Sequence, residues 1–187
     1  MPEQNCLLCN IIDDKYRLVY ENQYALSVVI FNPVNSTHQM ILPKRHVTAL
    51  DDMSLEESKD IFALQYKVQQ RLFQLYEEHP PIIAIQTGRH ATQPHIHWQA
   101  FSSDAHIRSL YAKAHEISYN YIGSKEIGDR TDNRTHPKIP GTEKENPRAK
   151  ENLENILGTI AIALRGTGNI DDDRKVLREI THHILSI

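Results

Sequence analysis

Cysteine is nearly absent from this 187-residue chain: the only two, Cys6 and Cys9, form a single C-x-x-C. Nothing remains for a disulfide framework, which excludes the small stapled secreted scaffolds. A basic excess is also missing. Lys and Arg number 21 against 24 Asp and Glu, a formal net charge of −3. A general nucleic-acid binder needs a basic footprint, and anionic lipid attracts one too; this composition supplies neither. The longest strongly apolar run, Ile156 to Leu164, is broken by Gly158 and Thr159. It falls far short of the ~20 residues of a membrane helix. Met1-Pro2-Glu3-Gln4-Asn5 has no basic or apolar leader segment, so no signal peptide is read and the cytoplasm is the expected location. No internal repeat is visible.

What is present is histidine, 11 residues of it, and an apolar fraction of 40%. That is slightly under the usual ~45–50%, which points to solvated loop or exposed helix in part of the chain. The length fits one domain with an appendage. Strand-like runs come first: Tyr16–Tyr20 and Tyr24–Ile30 around a hairpin signal at Glu21-Asn22-Gln23, then His38–Leu42 after a turn at Asn32-Pro33 and Asn35-Ser36. Ser54 and Glu57 make a capping box for a long helix. Leu55, Ile61, Phe62, Leu64, Val68, Leu72 and Leu75 recur in it at helical steps up to about Glu78. Strands follow at Ile82–Thr87 and Pro94–Phe101. Strands grouped around one helix predict an α+β domain with an antiparallel sheet. Residues 1–120 are read as that domain, with 105–120 helical, and 121–146 as a polar loop or linker with Pro137 and Pro140. Residues 147–187 are read as a helical hairpin extension, opened by Asn146-Pro147, broken at Gly166-Thr167-Gly168 and resumed at Asp171-Asp172-Asp173.

The densest chemistry lies in Gly88-Arg89-His90-Ala91-Thr92-Gln93-Pro94-His95-Ile96-His97-Trp98-Gln99. In an extended strand His95, His97 and Gln99 share one face and Ile96 and Trp98 the other. Two imidazoles and an amide in a row suit nucleophilic catalysis, in which a neutral imidazole attacks phosphorus. Gly88 permits close backbone approach, and Arg89, Thr92 and Gln93 offer donors to phosphate oxygens. The competing reading is a half-exposed strand with incidental histidines.

Gln93-Pro94-His95-Ile96-His97-Trp98-Gln99 resembles the signature of the histidine triad (HIT) superfamily. With Gln99 as its third member, it is closest to the H-x-H-x-Q form of the galactose-1-phosphate uridylyltransferase and diadenosine tetraphosphate phosphorylase branch. Asn32 to His46 (N-P-V-N-S-T-H-Q-M-I-L-P-K-R-H) is similar to that family's turn-and-strand segment. The resemblance covers about residues 6–104. It implies a HIT-like antiparallel sheet with a long packed helix, His97 as a nucleophile that holds a nucleotidyl group, and Gln99 bonded to a phosphate oxygen. It also implies that Thr92 and Gln93 line the phosphate site; Gly88, Arg89 and Asn32 are the further expected substrate contacts. Two positions depart from the family pattern. Ile30 stands where the ribose-binding Asp or Asn is usual, and the stretch before His95 is shorter than the common form.

C-x-x-C is a common half-site for tetrahedral zinc, with the other half drawn from distant histidines. The resemblance supplies a set: Cys6, Cys9, His46 and His95, a structural zinc that would orient His95 and leave His97 free to react. A redox pair, which wants a βαβ context, and two plain buried thiols are the other readings of the cysteines. His38 orients the turn-and-strand segment, His90 faces either substrate or solvent, and His182-His183 are surface residues. The expected function is therefore a HIT-like nucleotidyl transferase or hydrolase. It would cleave a nucleotide phosphoanhydride or nucleotide-sugar bond through a nucleotidyl-histidine intermediate. The alternative is a catalytically weak, zinc-stabilised nucleotide-binding or scaffold protein. A nucleotide or nucleotide-sugar is the expected partner, with no nucleic-acid polymer and no membrane. A homodimer is expected by family analogy.

Overall fold

The computed structural model of the protein describes residues 6–30, 33, 35–77, 81–86, 93–102 and 147–185. The expected helix over 105–120 and the expected loop or linker over 121–146 lie outside the described residues. Five strands form one antiparallel sheet: β1 (Leu18–Glu21), β2 (Ala25–Val29), β3 (Gln39–Pro43), β4 (Pro81–Gln86) and β5 (His97–Ser102), in the order β1-β2-β3-β5-β4. Among the described residues, four α-helices accompany it: α1 (Leu7–Ile11), α2 (Leu55–Leu75), α3 (Pro147–Arg165) and α4 (Ile170–Leu185). The class is α+β, as the grouping of strands around one helix predicts.

Helix α2 starts where its capping box requires. Ser54 Oγ accepts the Glu57 N–H at 3.1 Å, and Glu57 Oε2 accepts the Ser54 N–H at 2.8 Å. Ile61, Leu64, Val68, Leu72 and Leu75 form its buried face. Leu55 and Phe62, expected in the same stripe, are instead 65% and 71% exposed. At about 100° per residue, the buried set already fills the arc facing the sheet, and these two fall outside it. The helix ends at Leu75, ahead of Glu78.

Period-2 alternation divides the sheet between two cores. Val19, Ala25, Val29, Ile41 and Ala100 face α2, together with Leu157, Ile160 and Leu164 of α3 and Leu177 of α4. Leu26, Val28, Met40 and Leu42 face the other way and are covered by Cys6, Leu8, Cys9 and Ile11. Each fully buried aliphatic side chain contributes roughly 1.5–3 kcal/mol, so α3, α4 and α1 are integral to the packing.

Arginines join the helices. Arg71 of α2 donates to the carbonyls of Ala163 (2.9 Å) and Leu164 (3.0 Å) at the end of α3, and to Asp173 of α4 at 2.6 Å. Arg174 of α4 donates in turn to the carbonyls of Gln74 and Leu75 at the end of α2. The α3–α4 turn passes through Gly166 at φ +103° and Gly168 at φ +101°, a left-handed region that glycine enters without strain.

Candidate functional site

One short turn of helix and two loops converge beneath the second face of the sheet. Cys6 precedes α1 and Cys9 lies within it, one turn on, with the Asn10 N–H bonded to the Cys6 carbonyl. Both thiols are buried. His46 follows β3 on a loop held by charge: Arg45 grips Glu57 through two 2.8 Å bonds, from Nε to Oε1 and from Nη2 to Oε2. That pair holds the Glu57 carboxyl below its ordinary range. The Val47 carbonyl accepts the Ile96 N–H at 2.7 Å, which ties the His46 loop to the segment bearing His95.

The alternating spacing predicts His95 on the strand. The structure begins β5 at His97, because the Ile96 N–H is bonded to the loop rather than to a sheet partner. His95 nonetheless reaches the cysteines. Its Nδ1 lies 3.8 Å from Cys6 Sγ and 3.5 Å from Cys9 Sγ, while His46 Nδ1 is 3.3 Å from Cys9 Sγ. One donor atom from each of Cys6, Cys9, His46 and His95 lies within 4.8 Å of the others. His95 Nε2 donates to the Pro43 carbonyl at 3.0 Å, which leaves the Nδ1 lone pair directed at the thiols. Burial pushes the His95 imidazole down to about 4. The neutral ring is the form a metal ligand needs, and these four residues could hold a metal ion.

His97 is 1% exposed. Its Nδ1–H donates to the His95 carbonyl at 2.8 Å, so the ring's lone pair is on Nε2. Burial lowers its pKa, opposed by that bond. Gln99 shares its strand face, opposite Met40 of β3. His38 Nε2 donates to Gln99 Oε1 at 2.8 Å, and its ring meets Phe101 edge-on at 5.0 Å. Burial also takes His38 down to about 4, against the Gln99 bond. Of the expected substrate contacts, Gln93 is half-buried. Gly88, Arg89, Thr92 and Asn32, like His90, lie outside the described residues. A groove of about 340 Å³ lined by Phe62, Tyr66, Ile85 and Trp98 is on the opposite side of the sheet. The His38–Gln99 pairing escaped sequence reading. Its only signal was parity, which puts residue 38 on the same side of the extended segment as Met40 and Leu42.

A HIT domain family model matches residues 13–106. The chain belongs to the HIT family. Among curated HIT relatives it is 26% identical over 141 residues to the nitrilase and fragile histidine triad fusion protein NitFhit of Caenorhabditis elegans, matching 73% of this chain and 27% of that one. It is 25% identical over 158 residues to the asymmetrical bis(5'-nucleosyl)-tetraphosphatase of Schizosaccharomyces pombe, 74% of this chain and 83% of that enzyme. The galactose-1-phosphate uridylyltransferase of Haemophilus influenzae matches at 26% over 118 residues, 60% of this chain and 33% of its own length. The chain thus spans about a quarter to a third of two of these relatives and most of the third. A Hit-like protein from Bartonella henselae shares the fold at TM-score 0.50 and 15% identity, over 56% of this chain and 84% of that one. No helix among the described residues is long and apolar enough to cross a membrane.

Proposed function

We propose that this HIT protein is a nucleotidyl transferase or hydrolase in which His97 is the nucleophile. The observation carrying the reading is the orientation of one ring. The 2.8 Å bond from Nδ1 to the His95 carbonyl fixes the tautomer and leaves Nε2 as the attacking atom, on the strand face that also carries Gln99. Nε2 attacks an α-phosphorus, a P–N bond forms, and the P–O bond to the leaving group breaks. Water, phosphate or a sugar phosphate then takes the nucleotidyl group from nitrogen. With Gln99 Oε1 engaged by His38, the amide nitrogen is the end that donates to a phosphoryl oxygen. Thr92, Gln93, Arg89, Gly88 and Asn32 are the proposed substrate contacts.

The metal in this reading is a structural zinc on Cys6, Cys9, His46 and His95. Ordinary Zn–S and Zn–N bonds of about 2.3 and 2.05 Å at the tetrahedral angle separate sulfur from nitrogen by about 3.6 Å. The three S···N distances recorded here, 3.3, 3.5 and 3.8 Å, bracket that value. With all four positions filled by Cys6, Cys9, His46 and His95, a bound ion would supply rigidity rather than an open coordination position. These residues would then tie α1 to the His95 backbone, whose carbonyl accepts the His97 Nδ1–H bond.

A panel of dinucleoside polyphosphates and nucleotide sugars, each with and without inorganic phosphate, read by product mass, tests the activity. His97→Asn is expected to abolish turnover and covalent labelling from an α-labelled nucleotide. Two facts favour the scaffold reading: His97 is 1% exposed, and Ile30 occupies the family's ribose-binding position. Partner or nucleotide binding that survives H97N, with no wild-type turnover across the panel, would establish it. Homodimerisation belongs to the same proposal, through the exposed Phe62 and Tyr66, which line a groove with Ile83 and Ile85 of the edge strand β4; light scattering checks it.

A further inference from the structure

We infer that Thr181 of helix α4, outside the residues matched by the HIT model, is a positioning residue for Gln99 and acts through Ser36 and His38. The inference rests on the role given to Gln99 above. Ser36 is fully buried, so its amide and hydroxyl need partners from the protein itself. Among the described residues, helix α4 supplies them. Thr181 Oγ accepts the Ser36 N–H at 3.0 Å, and the two hydroxyl oxygens are 2.6 Å apart. Ser36 Oγ donates to the Leu177 carbonyl at 2.5 Å. The Thr181 hydroxyl is therefore the donor between the two side chains, and it closes a reciprocal pair with Ser36.

Ser36 lies inside the tight turn that delivers His38. The His38 N–H bonds the Asn35 carbonyl at 3.1 Å, and Asn35 Oδ1 accepts from Thr37 N at 3.0 Å and Thr37 Oγ at 2.7 Å. The same turn is fixed to the end of β5. Asn35 Nδ2 donates to the Ser102 carbonyl at 3.1 Å, and Ser102 N–H donates to Thr37 Oγ at 2.8 Å. The turn is thus clamped between β5, which carries Gln99, and α4. The β5 side sets where the turn sits along the strand, and Thr181 sets its depth against the helix. A shift at Ser36 passes over two residues to His38, whose Nε2 holds Gln99 Oε1 at 2.8 Å. A stiff β-branched side chain suits that duty, since its hydroxyl is held in few rotamers.

The test uses the full chain with Thr181→Val, which keeps shape and loses the hydroxyl, and Thr181→Ser, which keeps the hydroxyl. The first readout is the ¹H–¹⁵N signals of the Gln99 side-chain amide and the His38 ring nitrogens. The second is the single-turnover rate of His97 labelling by α-labelled diadenosine tetraphosphate. T181V is expected to move both sets of signals and slow labelling on the order of tenfold, the scale of a small misplacement at a reacting centre. T181S is expected to leave both in place. Signals unmoved in T181V, signals moved equally in T181S, or signals moved with no change in rate would each overturn the inference. A wild-type protein that is never labelled defeats the proposed function instead, and the spectra alone then decide whether Thr181 positions Gln99. If T181V does not fold, Ser36→Ala removes the same hydroxyl link from the other side.

Discussion

Replacing Arg71 by Met should be among the costliest single changes outside the site. Arg71 is 12% exposed and Asp173 is 1% exposed, with Nη2 and Oδ2 at 2.6 Å. The same guanidinium closes the end of α3 through the carbonyls of Ala163 and Leu164. Methionine keeps most of the stem but strands a buried carboxylate, whose remaining donors among the described residues are the Thr167 amide and hydroxyl. Breaking a buried pair on one side costs about 3–5 kcal/mol. For a chain of this size, that corresponds to a fall in Tm of about 6–20 °C. Urea unfolding followed by circular dichroism measures it. The double variant R71M/D173N removes the stranded charge, so it should be more stable than R71M alone. A loss under about 1 kcal/mol for R71M, or a double variant no better than R71M, would refute the account of this contact.

Gly166→Ala places a Cβ 3.2 Å from Arg71 Nη2 at a φ of +103°; a loss of about 1 kcal/mol or more is expected in the same urea assay. Burial lowers His38 from 6.5 to about 4, so the unfolded chain takes up the proton first as pH falls. Stability from this group is full above about 6.5 and declines down to about 4, by about 2 kcal/mol at pH 5; His38→Gln should remove that share of the pH dependence. Cys9→Ser should reduce bound zinc from about one equivalent to near none and lower Tm. Elemental analysis checks it, and wild-type protein purified without chelator and free of metal would refute the zinc reading.

Local patterns were legible wherever a short-range rule acts alone. Ser54 and Glu57 announce the start of α2 because a capping box is closed within four residues. The glycines of Gly166-Thr167-Gly168 mark the break between α3 and α4 because only the local backbone is at issue. The exposure of Phe62 was not legible. Helical periodicity names apolar positions, but which arc meets a sheet depends on the sheet. Likewise, an alternating rule placed His95 on a strand, whereas a bond from Ile96 to the Val47 loop delays β5 until His97.

By itself, the sequence determined the composition of the site: a thiol pair, spaced imidazoles and a glutamine, in the order and spacing of the HIT family. Tertiary structure alone decided their relations. It brought Cys9 to 3.3 Å from His46 and 3.5 Å from His95, set the Pro43 carbonyl behind His95, and linked His38 to Gln99. The reason is physical. Residues separated by tens of positions have no mutual geometry until two cores, one on each face of the sheet, fix the loops that carry them.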